Sequence, residues 1–170
     1  DSDEAIQRDL KVYWSIYNEI ISEKSDEEIE QSLKLILTEA FDFLSEKEKQ
    51  EAGDKELFIE IQMKTLLSPW FKYFVKYDPY PTLKKVKCPV LAINGEKDLQ
   101  VPPKENLSAI EQALKEGGSV NYKIVEMPGL NHLFQKSETG SPNEYGNIEE
   151  TFSEDAMKII ADWILEVIEE

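Results

Sequence analysis

The sequence predicts an α/β chain in two parts, a helical stretch over residues 1–79 and a strand–helix–strand–helix portion over residues 80–170. Three observations carry this. From residue 4 to residue 76, apolar residues recur at steps of three and four, the spacing of one buried helical face. Residues 88–94 are instead a short apolar run of strand length and residues 121–126 read as a second strand, with a helix-patterned segment between them. Two strands joined through a helix lie parallel, by a right-handed crossover.

Each element has its own signal. Ile6, Leu10, Tyr13, Tyr17 and Ile20 form the first helical stripe. Ser25-Asp26-Glu27-Glu28 has the form of a capping box, in which the serine hydroxyl accepts from a free N–H while Glu28 reaches back. Behind it, Ile29, Leu33, Ile36, Leu37, Ala40 and Leu44 give a second stripe. Ser45-Glu46-Lys47-Glu48 repeats the cap, and Gly53 is placed to end that short helix in a left-handed conformation. A further helix is expected over 55–67. Ser68-Pro69 then opens a short aromatic one, with proline in the first turn, where its missing N–H costs nothing.

The pattern changes at Tyr77-Asp78-Pro79-Tyr80-Pro81, which reads as a stiff connector that helices avoid entering. Residues 88–94 are apolar on both faces, as a strand inside a parallel sheet reads. Residues 103–116 form a helix with Leu107, Ile110 and Leu114 on one side and Gly117-Gly118 as its stop. After the second strand, 135–151 is rich in Ser, Gly, Asn and Pro and reads as a long loop, shaping substrate access or tolerating insertion. Residues 154–169 close the chain as an amphipathic helix through Ala156, Ile160, Trp163, Ile164 and Val167.

Composition narrows the function classes. With 35 acidic against 19 basic residues the formal net charge is −16. The first sixty residues hold 18 acids and 7 bases, so most of the excess lies there, as a solvated helical face. Such a surface repels phosphate backbones and anionic lipid heads, which argues against nucleic-acid and membrane partners. No run of eighteen apolar residues is present. A single cysteine, Cys88, excludes an internal disulfide, and its place at the mouth of a strand reads as a small buried hydrophobe. One histidine and scattered acids make no ligand cluster, so no metal or other cofactor is expected. The opening Asp1-Ser2-Asp3, without Met, reads as an interior start with any targeting information upstream, so localisation stays open.

Chemistry concentrates at two places. In an open parallel sheet, ligands and catalytic groups collect at the carboxyl ends of the strands. Asp98 lies just past the first strand, in Asn94-Gly95-Glu96-Lys97-Asp98-Leu99-Gln100-Val101-Pro102. His132, the only histidine, lies just past the second, in Pro128-Gly129-Leu130-Asn131-His132. Parallel neighbours bring both loops to one edge of the sheet, so the two side chains are expected to meet. A carboxylate accepting from one imidazole N–H fixes the tautomer and leaves the other nitrogen free as a base. Taken singly, Asp98 is equally a turn former or a cap for the helix that Pro102-Pro103 opens, and His132 a structural hydrogen-bonder.

Over residues 80–170 the sequence resembles the C-terminal part of the α/β-hydrolase superfamily, most closely in residues 88–102 and in Met127-Pro128-Gly129-Leu130-Asn131-His132-Leu133-Phe134. The resemblance implies a partial α/β-hydrolase fold, with the acid after the penultimate strand, the histidine after the last and a nucleophilic serine earlier in the chain. Carried over, Asp98 orients His132, which acts as general base and then acid. Residues 1–79 correspond to the helical cap or lid, with Trp70, Phe71 and Phe74 either lining an acyl pocket or packing as ordinary helix residues. The nucleophile half is missing. No Gly-x-Ser-x-Gly and no oxyanion loop occurs in the 170 residues.

The leading expectation is therefore a fragment of a serine hydrolase acting on a small-molecule carboxylic ester or other acyl substrate, with peptide and thioester bonds as close relatives, inert alone. The alternatives are a non-enzymatic acidic helical interaction module and a nucleophile-less hydrolase-like binding protein. The strand over 88–94 should have a second parallel neighbour that the chain does not supply. Its exposed sheet edge is thus expected to pair with another copy, as a homo-oligomer, or to be covered by a rearranged cap.

Overall fold

The computed structural model describes residues 3–169, with side chains from Gln7 onward, so Ile6 of the first predicted stripe lies outside the described side chains. The chain divides into two compact units, Asp1–Tyr77 and Asp78–Glu170.

The first unit is helical: α1 Asp3–Ile21, α2 Asp26–Asp42, α3 Glu46–Ala52, α4 Lys55–Leu66 and α5 Pro69–Lys76. Both capping boxes form. Ser25 Oγ accepts from the Glu28 N–H at 3.3 Å while Glu28 returns a carboxylate to the Ser25 N–H at 2.9 Å. Ser45 and Glu48 do the same at 3.3 and 2.7 Å. Gly53 ends α3 with φ 80°. Asp54 caps α4 through the Leu57 N–H, and Ser68 caps α5 through the Phe71 N–H. The core joins Ile16 and Ile20 of α1, Ile29, Leu33 and Leu37 of α2, and Ile59 and Leu66 of α4. A fully buried residue such as Leu33 or Ile20 contributes about 1.5–3 kcal/mol by leaving water.

The inner face of α1 differs from the expected one. Ile16 and Ile20 are buried with Val12 packed beside them, while Leu10, Tyr13 and Tyr17 are exposed. This helix carries two apolar stripes that meet near Ile20, and periodicity alone does not choose between them. On α5, Phe71 and Val75 pack against the core, whereas Trp70 and Phe74 are exposed and stack with ring centroids 5.3 Å apart.

The second unit begins with a helix where a connector was expected: α6, Tyr80–Leu83. Pro79 and Pro81 stand at its cap and first turn, where proline is tolerated. β1 Val90–Gly95 and β2 Tyr122–Met127 pair in parallel, with Ala92 opposite Ile124. Both strands start later than predicted. In β1 the reason is Pro89, which has no N–H for the ladder. Cys88 consequently stands outside the strand and is exposed, not buried. The first four residues of β1 are only half-buried, because β2 is its sole strand neighbour among the described residues.

Helix α7, Pro103–Glu116, crosses between the strands and packs on both. The Ser119 N–H bonds back to the Leu114 carbonyl at 2.9 Å and stops it at Gly117-Gly118. Helix α8, Glu154–Glu169, seats Ala156 and Ile159 against Met127 and Leu130, and leaves Ile164 exposed. The loop over 135–151 is not featureless: Pro142–Asn147 is a 3-10 helix. No helix among the described residues is long and apolar enough to cross a membrane.

Candidate active site

β1 runs buried into Asn94 and Gly95 and then releases the chain into a turn, with the Asp98 N–H bonded to the Gly95 carbonyl at 3.1 Å. Gly95 is a point of close approach between the end of β1 and the histidine loop. A Cβ there would lie 2.3 Å from the Leu130 carbonyl oxygen and 2.5 Å from that of Asn131, so only glycine lets the histidine loop approach.

Asp98 is 7% exposed, and its carboxylate takes four hydrogen bonds. Oδ1 accepts the backbone N–H groups of Gln100 at 2.9 Å and Val101 at 2.8 Å. Oδ2 accepts the Asn94 side-chain amide at 3.0 Å and lies 2.9 Å from His132 Nδ1. Burial pushes the Asp98 carboxyl up; the Val101 N–H, then His132 and the Gln100 N–H, outweigh that and hold it below its ordinary value. Asp98 is therefore ionised at neutral pH, and the His132 Nδ1–H is the donor. Asp98 forms a turn, as one of its simpler readings allowed. It does not cap α7, whose cap position is Pro102, with no side-chain hydrogen bond.

The histidine loop is built around Asn131, which is fully buried. Its Oδ1 accepts the N–H groups of Leu133 at 2.9 Å and Gln135 at 3.0 Å, and its Nδ2 donates to Gln135 Oε1 at 3.1 Å. Phe134 turns the chain with φ 56°, a conformation unusual outside glycine. The His132 side chain is 37% exposed, and Nε2 makes no hydrogen bond to a described residue. An imidazole held at Nδ1 and open at Nε2 can accept a proton, and the ionised carboxylate beside it stabilises the cation that results.

Sequence reasoning named Asp98 and His132, and the structure brings them together. It missed Asn94, Gln100 and Asn131. Asn131 had a signal, since asparagine accepts from backbone N–H groups two residues on and so favours turns. Asn94 had none, because its amide acts across the loop on a residue four positions away. The loop over 135–151 also belongs to this region: Lys97 Nζ donates to the carbonyls of Ser137 and Glu138, both at 2.8 Å, and Gln100 Nε2 donates to Tyr145 Oη at 2.8 Å. Among the described residues no group of three or more His, Cys, Asp or Glu is placed to hold a metal ion.

Parallel strands joined by a packed helix, with polar loops gathered at their carboxyl ends, are the arrangement of an open α/β sheet, where ligands and catalytic groups collect. The sequence model of the prolyl oligopeptidase family matches residues 49–158, nearly two thirds of the chain, and the chain belongs to that family. The match contains Asp98 and His132 and begins inside α3, well before residue 80, where the resemblance read from the sequence begins. No curated protein and no solved structure matches the chain. The family is one of serine hydrolases and is named for peptide cleavage.

Proposed function

We propose that residues 78–170 carry the acid and the general base of a serine hydrolase triad, with Asp98 orienting and His132 transferring the proton. The observation that carries the reading is the 2.9 Å contact from His132 Nδ1 to a carboxylate oxygen already fixed by three other donors. In this reading Nε2 takes the proton of a serine hydroxyl as the oxygen attacks an acyl carbon. The imidazolium, stabilised by Asp98, then protonates the leaving amine or alkoxide. Water repeats the sequence on the acyl-enzyme and regenerates the serine. The family name favours peptide bonds as substrates, and activated esters undergo the same acyl transfer. The helical unit takes the role of the substrate-selecting cap.

The serine is proposed to come from a Gly-x-Ser-x-Gly segment outside these 170 residues, where no such motif occurs. The 170-residue chain alone is then inert. Fluorophosphonate labelling tests this directly. The chain alone should not label. The gene product that includes the sequence preceding Asp1 should label at one serine, and His132→Ala should abolish it. Labelling that persists without His132, or a longer product with no reactive serine, contradicts the reading.

A further inference from the structure

We propose that Lys97 is a positioning residue that holds His132 against Asp98 by gripping both stems of the loop that carries the histidine. The proposal rests on reading the pair as acid and base. His132 sits near the tip of a tight loop whose stems are Gly129-Leu130 and Lys136-Ser137. The Ser137 N–H donates to the Gly129 carbonyl at 3.1 Å, and Leu130 pairs with Lys136 in an antiparallel bridge. Inside the loop the Asn131 N–H donates to the Gln135 carbonyl at 3.0 Å, and the Asn131 side chain fills the remaining turn. The tip is thus stiff relative to its stems. Where the imidazole stands relative to Asp98 is decided by what joins those stems to the acid loop.

Lys97, the residue before the acid, makes that joint on both sides. Its backbone N–H donates to the Leu130 carbonyl at 2.9 Å, two residues before the histidine. Its Nζ donates to the Ser137 and Glu138 carbonyls, five and six residues after it. Beyond the second stem the chain closes over Lys97. A Cβ on Gly140 would lie 2.0 Å from the Lys97 carbonyl oxygen, and the φ of 80° there suits glycine. The neighbours of Lys97 also reach across: the Gly129 N–H donates to Glu96 Oε2 at 2.8 Å, and Gln100 meets Tyr145. In neither of these does one residue bond both stems, as Lys97 does with its backbone N–H on the first and its Nζ on the second. A lysine suits the task because its ammonium carries three donors on a flexible stem, and charge-assisted bonds to carbonyls are stronger than neutral ones.

Because His132 is the only histidine, NMR of its ring N–H reads the joint without assignment. The experiment uses the 170-residue chain and compares wild type with Lys97→Met, Lys97→Arg and Asp98→Asn, with thermal unfolding as the check on folding. Wild type should show one protected Nδ1–H signal, and Asp98→Asn should remove it. Lys97→Met, which keeps the stem and loses the donors, should broaden the signal or speed its exchange by at least tenfold while unfolding stays cooperative. Lys97→Arg should restore it. A wild-type signal and exchange rate in Lys97→Met overturns the proposal and leaves the pair intact. No protected signal in wild type, or one that survives Asp98→Asn, overturns the reading of the pair itself. If Lys97→Met does not fold, the shorter Lys97→Gln takes its place. It should lose protection while Lys97→Arg keeps it, and equal protection in the two overturns the proposal.

Discussion

Asn94 donates both hydrogens of one amide nitrogen, to Asp98 Oδ2 and to the Val101 carbonyl at 3.1 Å, so it fixes the carboxylate and its loop together. Asn94→Leu keeps the size and removes both bonds. It should cost about 1–3 kcal/mol in chemical denaturation, because a buried carboxylate oxygen and a carbonyl each lose a donor. The same carboxylate sets a pH dependence. Its folded value lies below its unfolded one, so its contribution is present above the unfolded carboxylate range and is lost as pH falls through the folded value. Wild type should therefore lose more stability than Asp98→Asn as acid is added, which denaturation at stepped pH measures. At this scale the sequence was half legible. Asp98 and His132 could be named because strand ends in a parallel sheet are where such groups collect. Asn94 and Lys97 could not, because their effect depends on which carbonyls face them, and no spacing encodes that.

At the scale of elements, the close approach of β1 to the histidine loop is the part most open to disruption. Gly95→Ala sets a methyl against two backbone carbonyls that cannot rotate away. It should destabilise by about 1–3 kcal/mol or more and displace the histidine, so stability and the ring N–H signal should fall together. In the helical unit, Arg8, then the Ser45 hydroxyl and N–H, hold Glu48 down to about 2. The cap of α3 should thus persist as pH falls through the ordinary carboxylate range and give way only as it approaches the folded value, which helix content by circular dichroism follows. The caps were legible because a serine followed three residues later by a glutamate has one local meaning. The inner face of α1 was not, since Leu10, Tyr13 and Tyr17 recur at helical spacing as regularly as Val12 and Ile16 do. The helix over 80–83 hid behind prolines that mark a helix start as readily as a break.

At the scale of the molecule, each unit has its own core, and β1 and β2 form a sheet of only two strands among the described residues. Such a pair is marginal by itself, and the open edge of β1 is a template for another strand. We propose that this edge pairs with a second copy, the alternative being a rearranged cap that covers it. The net charge of −16 opposes association, so added salt, which screens repulsion beyond about 10 Å at 0.1 M, should raise the sedimentation mass. A single monomer mass at all salt concentrations would contradict this. The fold class was legible because the change from helical to strand periodicity is abrupt near residue 80. The two-stranded sheet among the described residues is consistent with the expected lack of a second neighbour for β1. The exposure of Trp14, Trp70 and Phe74 was not legible, and nothing in the structure explains it.

In the proposed triad Asp98 fixes the tautomer of His132. In Asp98→Asn the side-chain oxygen is kept by the Gln100 and Val101 N–H groups, so its NH₂ faces Nδ1 and forces the proton to Nε2, the wrong nitrogen for a base. The deciding measurement is kcat for peptide or activated-ester hydrolysis by a longer gene product in which fluorophosphonate labels a serine. In Asp98→Asn it should fall roughly 10⁴-fold with the fold retained. A variant that turns over as wild type does would contradict the proposed triad.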